Sequence, residues 1–181
     1  MYKAFYSLYK DLFTKEIKPE DYFAFKSWNE ATARLLTNTR GIGMLVGEPG
    51  SGKTFALRNL ASSLNPALYK VVYLPLSTGT VMDFYRGLAR SLSEEPGFRK
   101  IDLFEQIQQG VLKLFQDKRI TPVFILDEMH LASPKFLLDL SLLFNFSMDS
   151  LNPFVLILAG LLFLMNHLNL NQTQSLAHKS S

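Results

Sequence analysis

Short apolar runs alternate along the chain with segments in which apolar residues recur at helical spacing. The apolar runs predict buried strands, and they cover residues 42–46, 69–76, 122–126 and 154–159. The helical spacing predicts helices over residues 28–36, 55–61, 81–92, 103–115, 134–144 and 161–168. Because strands that alternate with helices form parallel sheets covered by those helices, we expect an α/β fold with three layers, α/β/α.

The two ends of the chain lack a sustained pattern. Residues 1–26 are rich in aromatic side chains, and we interpret them as an N-terminal arm that packs on a core formed by residues 27–168. Residues 169–181 are mostly polar, and we expect a poorly ordered tail. The arm has an alternative interpretation, since its rings are interleaved with lysines and could stack on nucleic-acid bases.

Composition narrows the class of protein. At 181 residues and 48% apolar content, the chain suits one domain with a substantial core. Its net charge of +3 does not by itself predict affinity for nucleic acid or membranes. The sequence contains no cysteine, which excludes disulfides and thiolate metal sites and agrees with a cytoplasmic location. The most apolar run, residues 153–165, is too short to span a bilayer, so we expect no membrane segment.

Residues 47–54 fit the phosphate-binding pattern G-x-x-x-x-G-K-[ST] at every fixed position. Glycines allow successive main-chain N–H groups to turn toward a phosphate, Lys53 adds positive charge, and Thr54 offers a hydroxyl to Mg²⁺. A chance glycine-rich turn is the alternative, but the order of strand, loop and helix favours a site for ATP and Mg²⁺. The predicted nucleotide contacts are Gly47, Glu48, Pro49, Gly50, Ser51, Gly52, Lys53, Thr54 and Phe55.

Two carboxylates, Asp127 and Glu128, follow the apolar run at residues 122–126. Ligands of parallel α/β sheets bind at the carboxyl ends of strands, so we predict that Asp127 holds Mg²⁺, directly or through water. Glu128 is the predicted catalytic group that orients or activates the attacking water. The alternative is that both acids cap the next helix. We expect the phosphate loop and this pair to lie side by side on adjacent central strands.

The phosphate loop, the strand end at residues 125–128, the segment 142–149 and the aromatic opening at residues 5–13 together resemble AAA+ ATPases of the ExeA/TniB type. Ser7 and Leu12 stand where that family usually has glycine and proline. The family includes helper proteins of bacterial insertion sequences and transposons. The resemblance implies an ATPase that oligomerises on double-stranded DNA and recruits or activates a transposase. It also implies a catalytic position for Asn145, near the γ-phosphate.

The chain departs from that family after its last predicted strand. It reads Gly160-Leu161-Leu162 where the family has a Gly-Gln-Pro turn, and its last arginine is Arg119. The resemblance therefore implies a core without the C-terminal lid, and weak hydrolysis, because arginines stabilise the transition state of phosphoryl transfer. Lys179 cannot form the same planar fork. Two alternatives stay open, an ExeA-like ATPase of a secretion pathway and a nucleotide-binding protein without turnover.

Overall fold

The computed structural model describes residues 41–76, 80–92, 95–146, 153–162 and 164. These residues form, in chain order, β1 (Gly41–Val46), α1 (Lys53–Ser63), β2 (Tyr69–Pro75), α2 (Val81–Ser91), α3 (Lys100–Leu112), β3 (Thr121–Asp127), α4 (Pro134–Leu143) and β4 (Val155–Gly160). A π-helical turn, Lys113–Asp117, continues α3, and a 3₁₀ turn, Met129–Leu131, follows β3. One or two helices separate each strand from the next, as the sequence predicts.

Most predicted elements within the described residues are confirmed to within a few residues. The largest difference is at α3, which begins at Lys100, because the Arg99 guanidinium binds both carboxylate oxygens of Asp102 at 2.7 and 2.9 Å and stabilises an earlier first turn. The predicted arm at residues 1–26, the helix at 28–36 and the tail at 169–181 lie outside the described residues. So does most of the helix predicted at 161–168, of which the structure describes Leu161 and Leu162, which are not helical, and a helical Leu164.

The strands form one parallel sheet in the order β1-β4-β3-β2. The prediction that the phosphate loop and the carboxylate pair follow adjacent strands is therefore wrong, because β4 lies between β1 and β3. All six residues of β4 are buried, as a strand covered on both faces requires. By contrast, β1 exposes 67% of Ile42, which suits its place at the outside of the described sheet.

The run predicted to be too short for a membrane helix contributes β4 to this sheet. Among the described residues, no helix combines the length and apolar character needed to cross a membrane.

Alternate residues of β3 serve two different cores. Val123 and Ile125 face α1 and pack with its Leu57 and Leu60. Phe124 and Leu126 face the opposite way, toward the core built with α2, α3 and α4. That second core is rich in rings, and its edge-to-face pairs join Phe84, Tyr85, Phe104 and Phe136 at centroid distances of 5.0 to 5.6 Å. Helices thus cover both faces of the sheet, which confirms the three-layer α/β/α fold.

Candidate active site

The carboxyl ends of β1 and β4 meet where the phosphate loop begins. Gly47 directly follows β1, and its N–H donates to the carbonyl of Gly160, the last residue of β4, at 3.3 Å. The loop then leads into α1, whose first residue is Lys53. Residues 47–54 therefore lie at the edge of the sheet where parallel α/β folds bind their ligands.

Two glycines of the loop have left-handed backbone angles, with φ of 76° at Gly50 and 83° at Gly52. Residues with a Cβ rarely adopt these angles. At Gly47 a Cβ would lie 2.8 Å from Ser51 Oγ, so a side chain there would require that hydroxyl to turn away. The turn of the loop thus depends on glycine for conformation at Gly50 and Gly52.

The N-terminus of α1 has no side-chain cap, since its N-cap residue is Gly52 and no side chain bonds to the first turn. An uncapped first turn leaves main-chain donors and the positive end of the helix dipole facing the loop. Glu48, Pro49 and Ser51 are exposed around it, and Phe55 lies partly exposed in the first turn. This arrangement suits an anion such as a phosphate.

The Lys53 ammonium lies inside the curve of the loop. Its Nζ donates to the carbonyl oxygens of Gly47 and Glu48 at 2.9 and 2.7 Å and lies 3.4 Å from Ser51 Oγ. A lysine stem is flexible, so the same Nζ can turn from these carbonyls to a phosphate oxygen. Lys53 therefore places a positive charge inside the loop, and its contact with a phosphate stays a prediction.

Asp127 ends β3 and is 3% exposed, the one buried charged side chain in the described part of the chain. It continues the alternation of Val123 and Ile125, so it faces α1. Its Oδ2 accepts hydrogen bonds from the Thr54 hydroxyl at 3.3 Å and the Tyr73 hydroxyl at 2.8 Å. Its Oδ1 accepts from the Glu128 N–H at 2.8 Å. Donors from three places thus offset the cost of burying this carboxylate.

Tyr73 reaches this carboxylate from β2. Partial burial of its hydroxyl and the hydrogen bond to Asp127 raise the pKa of Tyr73 to about 12. The phenol therefore stays protonated near neutral pH and keeps donating to Asp127.

Glu128 differs from its neighbour in both conformation and exposure. Its backbone is left-handed, with φ 57° and ψ 29°, a conformation that costs a non-glycine residue about 1–2 kcal/mol. Its N–H is bonded to Asp127, and its carbonyl accepts from the Leu131 N–H at 2.9 Å, so both main-chain groups are fixed. Its side chain is 50% exposed, and Oε2 lies 3.3 Å from Nδ1 of His130. Glu128 thus presents a carboxylate that water can reach.

The acids do not cap the next helix. α4 begins after Ser133, whose hydroxyl accepts from the Phe136 N–H at 3.2 Å, with Pro134 in its first turn. The carboxylates of Asp127 and Glu128 make no bond to that helix terminus among the contacts described. The interpretation of the pair as a helix cap is therefore wrong.

His130 packs against the end of β4. A Cβ added to Gly160 would lie 3.1 Å from the His130 main-chain nitrogen and 3.6 Å from its Cβ. Since Gly160 also accepts from the Gly47 N–H, this glycine joins the phosphate loop to the segment that carries Glu128.

The structure does not bring Asn145 to this site. Asn145 follows Phe144, whose ring centroid lies 4.8 Å from that of Phe154, the residue before β4. The phosphate loop lies beyond the other end of this strand, and a strand rises about 3.3 Å per residue, so six residues separate its ends by about 16 Å. The position that the resemblance implies for Asn145 is thus not the one it occupies, because α4 ends at the amino-terminal edge of the sheet.

Thr54 and Asp127 fit a magnesium site. A hydroxyl and a carboxylate supply the hard oxygen donors that Mg²⁺ prefers, and their oxygens already lie 3.3 Å apart. In proteins Mg²⁺ commonly takes one or two carboxylates and completes its shell with water and substrate phosphates. The uncapped helix and Lys53 supply the phosphate side, so metal and nucleotide would share this edge of the sheet.

Sequence patterns do not single out Tyr73 or His130. His130 stands two residues after Glu128, and that spacing is the one available signal for it. Tyr73 carries no such signal, because its bond to Asp127 depends on how β2 pairs with β3. Its aromatic side chain indicates only a strand.

Comparison with known proteins agrees with this architecture. A family profile described as "AAA domain" matches residues 36–166. No match was found among curated proteins. The fold is similar to that of Cdc6p from Pyrobaculum aerophilum, with a TM-score of 0.62 and 18% identity over 86% of this chain and 42% of that one. It is also similar to the ORC2 protein of Aeropyrum pernix, solved as ADPNP–ADP complexes, with a TM-score of 0.62 and 14% identity over 91% of this chain and 47% of that one.

At these identities the two structural likenesses concern the fold, and the chain spans less than half the length of either protein. The family profile shows more than the fold, because it matches most of the chain's sequence, including the phosphate loop and the carboxylate pair. The parallel sheet with these two features at its carboxyl edge is the core of an AAA+ P-loop ATPase, and the chain belongs to the AAA domain family.

Proposed function

We propose that this chain binds Mg²⁺·ATP at the loop of residues 47–54 and hydrolyses it slowly to ADP and phosphate. The observation that carries the proposal is the meeting of Thr54 and Asp127 beside a loop that holds the Lys53 ammonium. The Thr54 and Asp127 oxygens and the Lys53 ammonium are thereby grouped at the uncapped N-terminus of α1. Phosphates bind well at a helix N-terminus, and Mg²⁺ prefers hard oxygen ligands; this edge of the sheet offers both.

Each residue has a distinct role in this proposal. The loop N–H groups and Lys53 bind and orient the phosphates, while Thr54 and Asp127 hold the metal. When bound, Mg²⁺ neutralises charge on the phosphate oxygens. Glu128 orients a water molecule for attack and accepts its proton, a role that suits an exposed carboxylate fixed through its main chain.

We expect slow turnover because of where the arginines lie in this chain. An arginine that stabilises transition-state charge contributes about 10³–10⁵ in rate where it has been measured. Arg119 stands two residues before β3, at the amino-terminal edge of the sheet, opposite the phosphate loop. No later position of the printed sequence is an arginine. We therefore expect hydrolysis by this chain alone to be weak.

The proposed cellular role is that of a DNA-transposition helper in the cytoplasm. Its support is the resemblance to ATPases of the ExeA/TniB type, which four separate sequence segments carry. In this role nucleotide binding lets copies of the chain assemble on double-stranded DNA and recruit or activate a transposase.

Isothermal titration calorimetry with Mg²⁺ and ADPNP tests the binding claim directly. We expect one saturable site per chain, and a chain that releases or absorbs no heat of binding would refute the proposed function. Retention on duplex DNA, with and without ADPNP over a series of salt concentrations, tests the cellular role, because charge-driven binding weakens steeply with salt. DNA retention that ADPNP does not increase contradicts the role as a nucleotide-dependent helper while leaving ATP binding intact.

A further inference from the structure

The shorter of the two side-chain hydrogen bonds to the buried Asp127 carboxylate comes from outside both sequence motifs. The Tyr73 hydroxyl donates to Oδ2 at 2.8 Å, whereas the Thr54 hydroxyl lies 3.3 Å from the same oxygen. Thr54 belongs to the phosphate loop, and Tyr73 belongs to β2, on the far side of β3 from that loop. The carboxylate is therefore held from two opposite sides.

The register of the sheet explains how Tyr73 comes to this place. Tyr73 pairs with Ile125, and Pro75 pairs with Asp127. Paired residues of a parallel ladder point to the same face, as do residues two apart on one strand. The Tyr73 ring thus lies on the α1 face, level with Ile125 and two residues before Asp127 along β3. The length of the side chain carries its hydroxyl over that distance to Asp127.

The three donors to Asp127 fix the orientation of its carboxylate. Oδ1 is bonded to the Glu128 N–H at 2.8 Å, and Oδ2 takes the two hydroxyls. Removing the Tyr73 hydroxyl would leave Oδ2 with the longer Thr54 contact alone. A carboxylate held by fewer bonds samples more orientations, and a metal must then restrict it on binding.

We propose that Tyr73 is a positioning residue for Mg²⁺, because its hydroxyl holds the Asp127 carboxylate in the orientation that faces Thr54. The proposal rests on the proposed function, since the metal accompanies the nucleotide. Tyr73 acts through Asp127 and touches neither the phosphates nor the water. It therefore sets the affinity for the metal and leaves metal-free nucleotide binding unchanged.

The test compares Tyr73→Phe with Tyr69→Phe. Tyr69 lies on the same strand and the same face but pairs with Thr121, at the other end of the ladder, so the control removes the same group far from Asp127. ADPNP binding is titrated by calorimetry at a series of Mg²⁺ concentrations and once in EDTA. We expect Tyr73→Phe to raise the half-saturating Mg²⁺ concentration about 10-fold, as loss of a bond to a metal-holding carboxylate commonly does.

In the same experiment, Tyr69→Phe should match the parent protein, and all three proteins should bind ADPNP equally in EDTA. An Mg²⁺ midpoint for Tyr73→Phe that is within twofold of the Tyr69→Phe value, or below it, overturns the proposal. Weakened ADPNP binding in EDTA also overturns it, because a positioning role confined to the metal leaves that affinity unchanged. Thermal melting confirms that both variants are folded.

A second measurement separates this proposal from the proposed function. Binding of Mn²⁺ to the chain without nucleotide is followed by electron paramagnetic resonance, with Asp127→Asn as the blank. If the parent binds no ADPNP, the proposed function fails, and Mn²⁺ affinity still decides the role of Tyr73. Weaker Mn²⁺ binding by Tyr73→Phe than by Tyr69→Phe supports the role, and equal binding overturns it.

Discussion

The phosphate loop holds a positive charge with contacts from nearby residues, whereas the carboxyl end of β3 holds a negative charge with donors from distant parts of the chain. The loop is mostly exposed, and its cation, Lys53, is held by main-chain carbonyls no more than six residues away. Asp127 is buried, and two of its donors, Thr54 and Tyr73, lie 73 and 54 residues away in the chain. A half-buried cation in an exposed loop can be positioned by local backbone geometry, whereas a buried anion needs donors that only the folded sheet brings together.

The same contrast recurs within the carboxylate pair. Asp127 is buried and bonded through both oxygens, which suits a fixed metal ligand. Glu128 is half exposed, and its fixed part is the backbone, which suits a group that meets water. Two adjacent acids thus have different surroundings because β3 ends between them and the chain turns left-handed at the second, and the proposed function gives them different roles.

The largest effect is expected where the pair meets water. Glu128→Gln keeps the shape of the side chain but cannot accept a proton, and a general base commonly contributes about 10²–10⁴ in rate. We expect ADPNP binding within twofold of the parent and phosphate release at least about 100-fold slower, measured as single-turnover hydrolysis of ATP.

Glu105→Gln is the matched control, since it makes the same change on the exposed side of α3. It should leave turnover unchanged. If Glu128→Gln hydrolysed ATP as fast as the parent, the two acids would not differ as proposed, and another group would have to orient the water.

The next effect concerns the cation of the loop. Lys53→Ala removes the charge that faces the phosphates, and losing one partner of a charge pair commonly costs about 2–5 kcal/mol, or 30-fold or more in affinity. Calorimetry with Mg²⁺·ADPNP should show this loss. Lys113→Ala, at an exposed position after α3, is the control and should bind as the parent does. Equal affinities for the two variants would show that main-chain donors alone bind the phosphates.

The loop could be predicted in detail from the sequence, and the surroundings of the carboxylates could not. Gly50, Gly52 and Lys53 act within one short segment, so their spacing carries their geometry. The strand before Asp127 could also be predicted, because its apolar run is local. The contact of Asp127 with Tyr73 depends on strand order and register. The placement of β4 between β1 and β3 could not be predicted from the sequence for the same reason.

The misplacement of Asn145 has a related cause. A resemblance transfers a residue by its position in the sequence, but the place of that residue depends on which end of the helix or strand carries it. Here α4 ends at Leu143, and Asn145 follows at the amino-terminal edge of the sheet, beside the start of β4. The residues that stand at the other end of β4 are Gly160 and Leu161, which bring no polar side chain to the site.

Gly160 joins the two regions, so its substitution tests whether they depend on each other. In Gly160→Ala the new Cβ would lie 3.1 Å from the His130 main-chain nitrogen and 3.1 Å from Leu164 Cδ2. The leucine methyl can move, but the backbone cannot do so cheaply. We expect about 2 kcal/mol lower free energy of unfolding, in the range typical of overpacked sites, measured by urea denaturation.

The same variant should also reduce turnover more than it reduces ADPNP binding, because the displaced segment carries Glu128 while the phosphate loop keeps its own contacts. Gly87→Ala is the control for stability, since its Cβ would meet only Leu74 Cδ2, at an ordinary 3.7 Å. An unchanged free energy of unfolding for Gly160→Ala would show that the His130 segment adjusts freely and does not couple the two regions.

The smallest effect isolates conformation from contact. Gly50 has φ of 76°, and a Cβ there would meet nothing within 4 Å, whereas Gly160 is crowded but does not have positive φ. Gly50→Ala should therefore lower the free energy of unfolding only by the cost of a left-handed backbone, about 1 kcal/mol. Gly50→Asn should recover part of this cost, because asparagine tolerates that conformation better than alanine. No such recovery is expected for Gly160→Asn, whose larger side chain would worsen the contact with His130. If asparagine and alanine destabilise equally at position 50, the turn of the loop does not depend on left-handed geometry, and its glycine would serve close approach of a phosphate instead.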